Sequence, residues 1–154
     1  MISKKTKYGL IAMFYLAKRY DQKDQGLALI TDIAESERIP KKFLELILLD
    51  LKNHGILKSR RGKGGGYVLN RAPREIFLGQ IIRILEGPLA PVPCVSQTSY
   101  QRCEECLEER CCGIRLVMKD VREAMARILD STSLADAIEK SQIAGHENNL
   151  TYHI

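Results

Sequence analysis

The chain has 154 residues, 45% hydrophobic and 28% charged, with five cysteines, three histidines and no tryptophan. That composition supplies the core of one domain and excludes collagen-like, low-complexity and wholly disordered classes. The net charge of +5 hides a polarity: residues 1–74 carry 16 Lys and Arg against 7 Asp and Glu, whereas residues 75–154 carry 8 against 12. The basic half suits a polyanion, with a solvated basic face as the bland alternative. The longest apolar run, Gly9 to Ala17, is far short of the ~20 residues that span a membrane, and it lacks a small-residue cleavage site. A cytoplasmic protein without membrane span or signal peptide is expected.

Residues 3–20 predict a helix, capped by Ser3, with Tyr8, Ile11, Ala12, Tyr15 and Leu16 at helical spacing. A polar loop, Asp21 to Gly26, and a short extended segment, Leu27 to Ile30, follow. Thr31 then caps a brief helix over Asp32 to Glu37. After a turn through Ser36 to Ile39, a longer helix runs from Pro40 to Asn53. Its first turn takes Pro40 without loss, because the missing N–H would have no helical partner there. Phe43, Leu44, Ile47, Leu48 and Leu51 form its apolar stripe, and Gly55 ends it. Ile56 to Ser59 and Tyr67 to Leu69 read as two short strands around the tip Arg60-Arg61-Gly62-Lys63-Gly64-Gly65-Gly66. A short helix, Leu78 to Leu85, leads into a stiff connector, Gly87 to Pro93, with prolines at 88, 91 and 93.

All five cysteines lie between Cys94 and Cys112, in a polar segment read as a loop. The strongly helical stretch from Gly113 to Asp130 comes next, ~27 Å long. Its stripe of Ile114, Val117, Met118, Val121, Met125 and Ile128 is read as facing a second copy of the chain, packing on its own domain being the alternative. A last short helix, Ser133 to Lys140, capped at Thr132 or Ser133, precedes a polar, mobile tail over 141–154.

Helix, short helix, turn, longer helix and basic Gly-rich hairpin is the order of a winged helix-turn-helix. The fold class is therefore mainly α, with that DNA-binding domain over 1–86, a Cys-rich sensor loop and dimerisation helix over 87–140, and a flexible tail over 141–154. The second helix of the pair enters the major groove N-terminus first. Lys41 and Lys42 lie there for phosphate, beside backbone N–H groups that also attract anions. Glu45 is placed to accept from a cytosine amine, or else to pair with Lys41 or Lys42 on the surface. Arg60, Arg61 and Lys63 stand on a wing whose glycines let the backbone approach phosphate or a minor groove. The Gly-rich run is not a nucleotide-phosphate loop, because it lacks the Gly-Lys-Ser/Thr order and no helix follows it.

These residues resemble the bacterial winged-helix transcription regulator family typified by the iron–sulfur cluster regulator IscR, the nitric-oxide sensor NsrR and the cysteine-metabolism regulator CymR. The resemblance is carried by Ser3-Lys4-Lys5-Thr6-Lys7-Tyr8-Gly9, Ile33-Ala34, Ile39 to Glu45, Arg61 to Tyr67 and Leu85-Glu86-Gly87-Pro88, and covers roughly residues 1–140. It implies a homodimer on a palindromic double-stranded DNA operator, with Glu45 and Arg61 at base-reading or groove-reading positions.

Cys103-x-x-Cys106 is a chelating spacing. With Cys94 and Cys112 it makes four thiolates, the usual set for a 2Fe–2S or 4Fe–4S cluster or for zinc. The family's cluster-bearing members use three cysteines here plus a ligand of another type. Arg115 stands where IscR-type members have His, and Lys7 where NsrR-type members have Asp, which leaves an all-Cys set as the substitute. Cys106-x5-Cys112 matches the family spacing of the last two ligands, and Cys103 becomes the added fourth; a register with Cys111 in place of Cys112 stays open. A 2Fe–2S cluster gating operator binding is the expected function, with a 4Fe–4S cluster, zinc or a Cys103–Cys106 thiol switch as alternatives. A redox protein using the cluster directly is a further alternative, but it leaves the wing and the basic half unexplained. A regulator that binds a metabolic enzyme leaves the cysteines unexplained. His54 is read as a cap or phosphate contact, and His146 and His153 as surface residues. No side-chain arrangement points to catalysis, so the protein is expected not to be an enzyme.

Overall fold

Ser3 opens the first helix, α1 (Lys4–Lys18), by accepting the Thr6 N–H on its hydroxyl at 3.2 Å. The structure, a computed structural model, describes residues 2–151, and side chains as far as Gly145. The loop after α1 winds through a short 3-10 turn, Lys23–Gly26, in which Asp24 and Gln25 take left-handed backbone angles. Of the expected extended segment only Ala28 pairs, exchanging both backbone bonds with Tyr67 at 3.1 and 2.8 Å.

The short helix α2 (Ile30–Ser36) begins one residue before Thr31, with Leu29 at its N-cap and no side-chain cap, so Thr31 is not the capping residue. α3 (Lys41–Asn53) follows. Pro40 is its N-cap, with φ −57° and ψ 121°, rather than its first helical residue. Leu44, Ile47, Leu48 and Leu51 are buried, but Phe43 is not. It lies on the flank of the stripe, where its ring meets the edge of Tyr8 of α1 with centroids 5.8 Å apart. His54 takes the capping role, its ring nitrogen Nδ1 lying 2.8 Å from the Asp50 carbonyl.

The wing is a two-stranded antiparallel sheet, β1 (Leu57–Arg60) and β2 (Gly66–Leu69), in register Leu57 to Leu69 and Arg60 to Gly66. Gly66 has φ +145°, and a side chain there would meet the Ala28 carbonyl oxygen at 2.4 Å, so the third-strand contact requires glycine. Ala12, Met13, Leu16, Ile33, Leu44 and Ile47 are fully buried where α1, α2 and α3 meet. α4 (Leu78–Glu86) closes that core with Ile81 and Leu85.

After the connector, two short 3-10 turns, Pro93–Val95 and Glu109–Cys111, interrupt the loop. α5 (Gly113–Ser131) carries no buried residue. It is held to the domain by polar ties. Arg83 of α4 makes a two-pronged pair with Asp130, one arm at 2.8 Å, while Arg122, 13% exposed, donates to the Val95 carbonyl at 2.7 Å.

α6 (Leu134–Thr151) starts from a reciprocal cap between Ser133 and Asp136, as expected, but runs past Lys140 through most of the segment read as a tail. Its later turns, exposed at 141–145, have no apolar stripe for a periodicity argument to find. The His146 side chain and His153 lie outside the described residues.

Candidate nucleic-acid interface and cysteine loop

α3 buries one face against α1 and α2 and leaves the other bare. Lys41, Lys42 and Glu45 are all exposed, and among the described residues none of the three makes an ion pair. The Glu45 pairing with Lys41 or Lys42 is therefore not formed. A carboxylate without a cation beside it keeps its acceptor lone pairs for a ligand.

In the wing, Arg61 and Lys63 are exposed and likewise unpaired among the described residues, whereas Arg60 lies 3.6 Å from Asp24. That contact ties the wing to the loop after α1. Both partners are about half exposed, so it is worth little in stability and serves as a positional tether. Sequence reasoning missed it, because Asp24 and Arg60 lie far apart in the chain and a loop aspartate carries no pattern.

At the other end of the domain, the carboxylate of Glu86 accepts the Ser3 N–H at 3.0 Å and the Thr6 hydroxyl at 2.5 Å. Hydrogen bonds from Ser3 and then Thr6 hold its pKa below the usual carboxylate range. Lys5, on the same turn of α1, binds Asp50 of α3 at 2.6 Å. The last residue before the connector is thus linked to α3 through one turn of α1.

The cysteines divide into two places. Cys94 sits in the Pro93–Val95 turn, where Arg115 of α5 donates to its carbonyl at 3.3 Å. Cys103 and Cys106 bracket a tight turn in which the Cys106 N–H reaches the Cys103 carbonyl at 3.3 Å. Cys112 occupies the N-cap of α5. Backbone N–H groups of Arg115, the larger effect, and Ile114 stabilise its thiolate, so its pKa falls below the usual thiol range. The Cys106 thiol is pushed up, first by desolvation and then by its contact with Cys112 and the proximity of Cys103. Tyr100 closes the loop by donating to Glu109 at 2.6 Å. None of the five cysteines is in a disulfide; Cys111 is exposed and the other four are half-buried.

The donor set fits a thiophilic metal group in its chemistry. Cys106 lies against Cys112, which is favoured as thiolate, Cys103 is near Cys106, and Arg115 ties the Cys94 turn to α5. Among the described residues, however, no three His, Cys, Asp or Glu side chains converge closely enough to coordinate one ion.

Comparison with known proteins settles the lineage. The model of the family described as Rrf2, iron-dependent transcriptional regulator, matches residues 2–140. The chain belongs to the Rrf2 family. An rrf2-like helix-turn-helix protein of Rhodobacter capsulatus is 40% identical over 138 residues, covering 90% of this chain and 92% of its own. The solved structure of CymR, the global cysteine regulator of B. subtilis, superimposes with a TM-score of 0.74 at 36% identity, covering 91% and 97% of the two chains. The IscR of T. potens superimposes with a TM-score of 0.71 at 31% identity, covering 94% and 90%. The winged-helix fold and a DNA-binding, transcription-regulating role thus follow from membership, and the Rrf2 family is not a family of enzymes. No helix among the described residues is long and apolar enough to cross a membrane.

Proposed function

We propose that this Rrf2-family chain is a homodimeric regulator that reads a palindromic operator and carries an iron–sulfur cluster, 2Fe–2S in preference to 4Fe–4S, on its cysteine loop. The observation that carries the sensing half is Cys112 at the N-cap of α5. A thiol whose ionised form is favoured by backbone N–H groups thus caps the helix that would join two protomers. Cys103, Cys106 and Cys112 would hold the group, with Cys94 brought in by movement of its short turn. Cys111, the exposed one, is the spare.

A bound cluster supplies a centre whose oxidation or loss changes the charge and the fixed geometry of the loop. The chain's own residues carry that change onward. Arg115 and Arg122 tie the Cys94 turn to α5, and Arg83 ties α5 to α4. The dimer reading is supported by the outer face of α5, where Ile114 is 71% and Ile128 59% exposed, with Val117 and Val121 between them. Lys41, Lys42, Glu45, Arg60, Arg61 and Lys63 are the proposed DNA contacts.

The test is an absorption spectrum with iron, zinc and sulfide analysis of anaerobically purified protein. Iron with acid-labile sulfide, lost in Cys106→Ser and Cys112→Ser but kept in Cys111→Ser, is the expected result. One zinc per chain, or no metal even after reconstitution, would overturn the cluster and leave a zinc-braced or thiol-switched regulator on the same DNA-binding fold.

A further inference from the structure

α3 presents an apolar pair where a groove-entering helix is ordinarily polar. At 3.6 residues per turn, Lys42, Leu46, Leu49 and Asn53 fall on one line, diametrically opposite the buried Leu44, Ile47, Leu48 and Leu51. Leu46 is 60% and Leu49 45% exposed. Neither has a core to fill, and leucines so placed lose free energy to water unless something covers them. Their surroundings identify the cover. The line begins at Lys42, the exposed Lys41 and Glu45 share that end of the helix, and the chain leads from α3 directly into the basic wing. A surface with unpaired cations around an apolar strip complements the major groove, where phosphates line the walls and thymine alone presents a methyl group.

We infer that Leu46 and Leu49 are specificity-determining residues that read the C5-methyl groups of thymines in the operator half-site. This rests on α3 being the groove-entering helix of the proposed function. The division of labour is then by residue type. Lys41 and Lys42 bind phosphate and fix the register, Glu45 takes an exocyclic amine, and the leucines select thymine over cytosine at neighbouring steps.

Deoxyuridine differs from thymidine only in lacking that methyl, so it isolates the contact. A duplex is first selected by the wild-type protein from a random-sequence pool, and each thymine is then replaced singly by deoxyuridine. Burying a methyl-sized group is worth ~0.8 kcal/mol, so replacement at a read position weakens wild-type binding roughly fourfold. Leu46→Ala or Leu49→Ala abolishes that sensitivity at its own position. Both side chains are exposed and alanine favours helix, so the variants fold, with circular dichroism as the check.

Indifference of the wild type to every replacement overturns the inference, as does sensitivity that survives unchanged in both variants. A change of oligomeric state in the variants with operator affinity intact also overturns it, assigning the strip to a protein surface. Salt titration of the same duplex reports the underlying reading separately. Steep salt dependence without methyl sensitivity removes the leucines alone, whereas failure to select any duplex, with no salt-dependent binding, removes both.

Discussion

Glu86 ends α4, yet its carboxylate organises the start of α1, accepting from the Ser3 N–H and from the hydroxyl of Thr6, which is itself fully buried. Because these bonds favour the ionised form, the folded-state pKa lies below the unfolded one. The stabilisation is therefore fully present above the ordinary carboxylate pKa of ~4.3 and is lost as pH falls through the lower folded value. Thr6→Val removes one donor while keeping the volume. It should lower stability at pH 7 by about 1 kcal/mol in urea unfolding, and the gap from wild type should close as the pH is taken below the carboxylate range. A gap that stays constant down to pH 3 would mean that Thr6 acts through packing alone. Sequence reading had no access to this bond. Its partners lie 80 residues apart, and Glu86 looks like any surface glutamate at a helix end.

A buried glycine of α4 lies under the ion pair that joins α5 to α4. A side chain at Gly79 would lie within clash distance of the Asp130 carboxylate and 2.9 Å from the Arg83 guanidinium, so Gly79→Ala should push the Arg83–Asp130 pair apart. Both atoms end flexible side chains and the pair is nearly half exposed, so losing it costs about 1 kcal/mol or less, and the helix propensity gained by alanine offsets much of that. The expected change in melting temperature by circular dichroism is at most a few °C, and a larger fall would show that Gly79 is needed for close packing. The opposite face of α5 should behave differently. Val121→Glu and Ile128→Glu alter side chains that face outward, so each should leave helical content unchanged while shifting the sedimentation profile from dimer to monomer. The difference between these faces shows what was legible. The stripe Ile114, Val117, Val121, Met125 and Ile128 stands out in the sequence because like residues recur at helical spacing, and all of it is exposed; Met118 alone turns inward. The same periodicity found α1, α3 and α4, and the Gly-rich basic tip between two short apolar runs found the wing. Periodicity missed the later turns of α6, which have no stripe, and it placed Phe43 in the core, whereas the ring is exposed on the flank beside Tyr8. Spacing likewise pointed to Cys103 and Cys106 as the natural pair. The fold sets Cys106 near Cys103 and also against Cys112, at the N-cap of α5.

Across the whole molecule the charge is distributed by task. The winged-helix half holds the excess of Lys and Arg, and the half with the cysteine loop and α5 is net acidic. The excess of Lys and Arg on the winged-helix residues favours approach of a duplex to them over the acidic cysteine loop and α5. Glu86, Thr6, Lys5 and Asp50 link the end of α4 to α3, so under the proposed gating a displacement at the loop would have a route to α3. The electrostatic part of this arrangement has a measurable signature. Each phosphate neutralised by a cation contributes about 0.9 to the slope of log affinity against log salt. Lys41, Lys42, Arg61 and Lys63 are exposed and unpaired among the described residues, so binding releases counterions from the DNA without first breaking an ion pair in the protein. Arg60 differs, because its tether to Asp24 must be shared or exchanged. Neutralising Lys41, Lys42 and Arg61 together in a dimer should therefore flatten the slope by about five units if all six side chains touch phosphate. Asp24→Asn, which frees Arg60, should steepen it or leave it unchanged while raising affinity for non-specific duplex. An unaltered slope in the triple variant, with the protein still folded and dimeric, would place the DNA on a different face of the molecule.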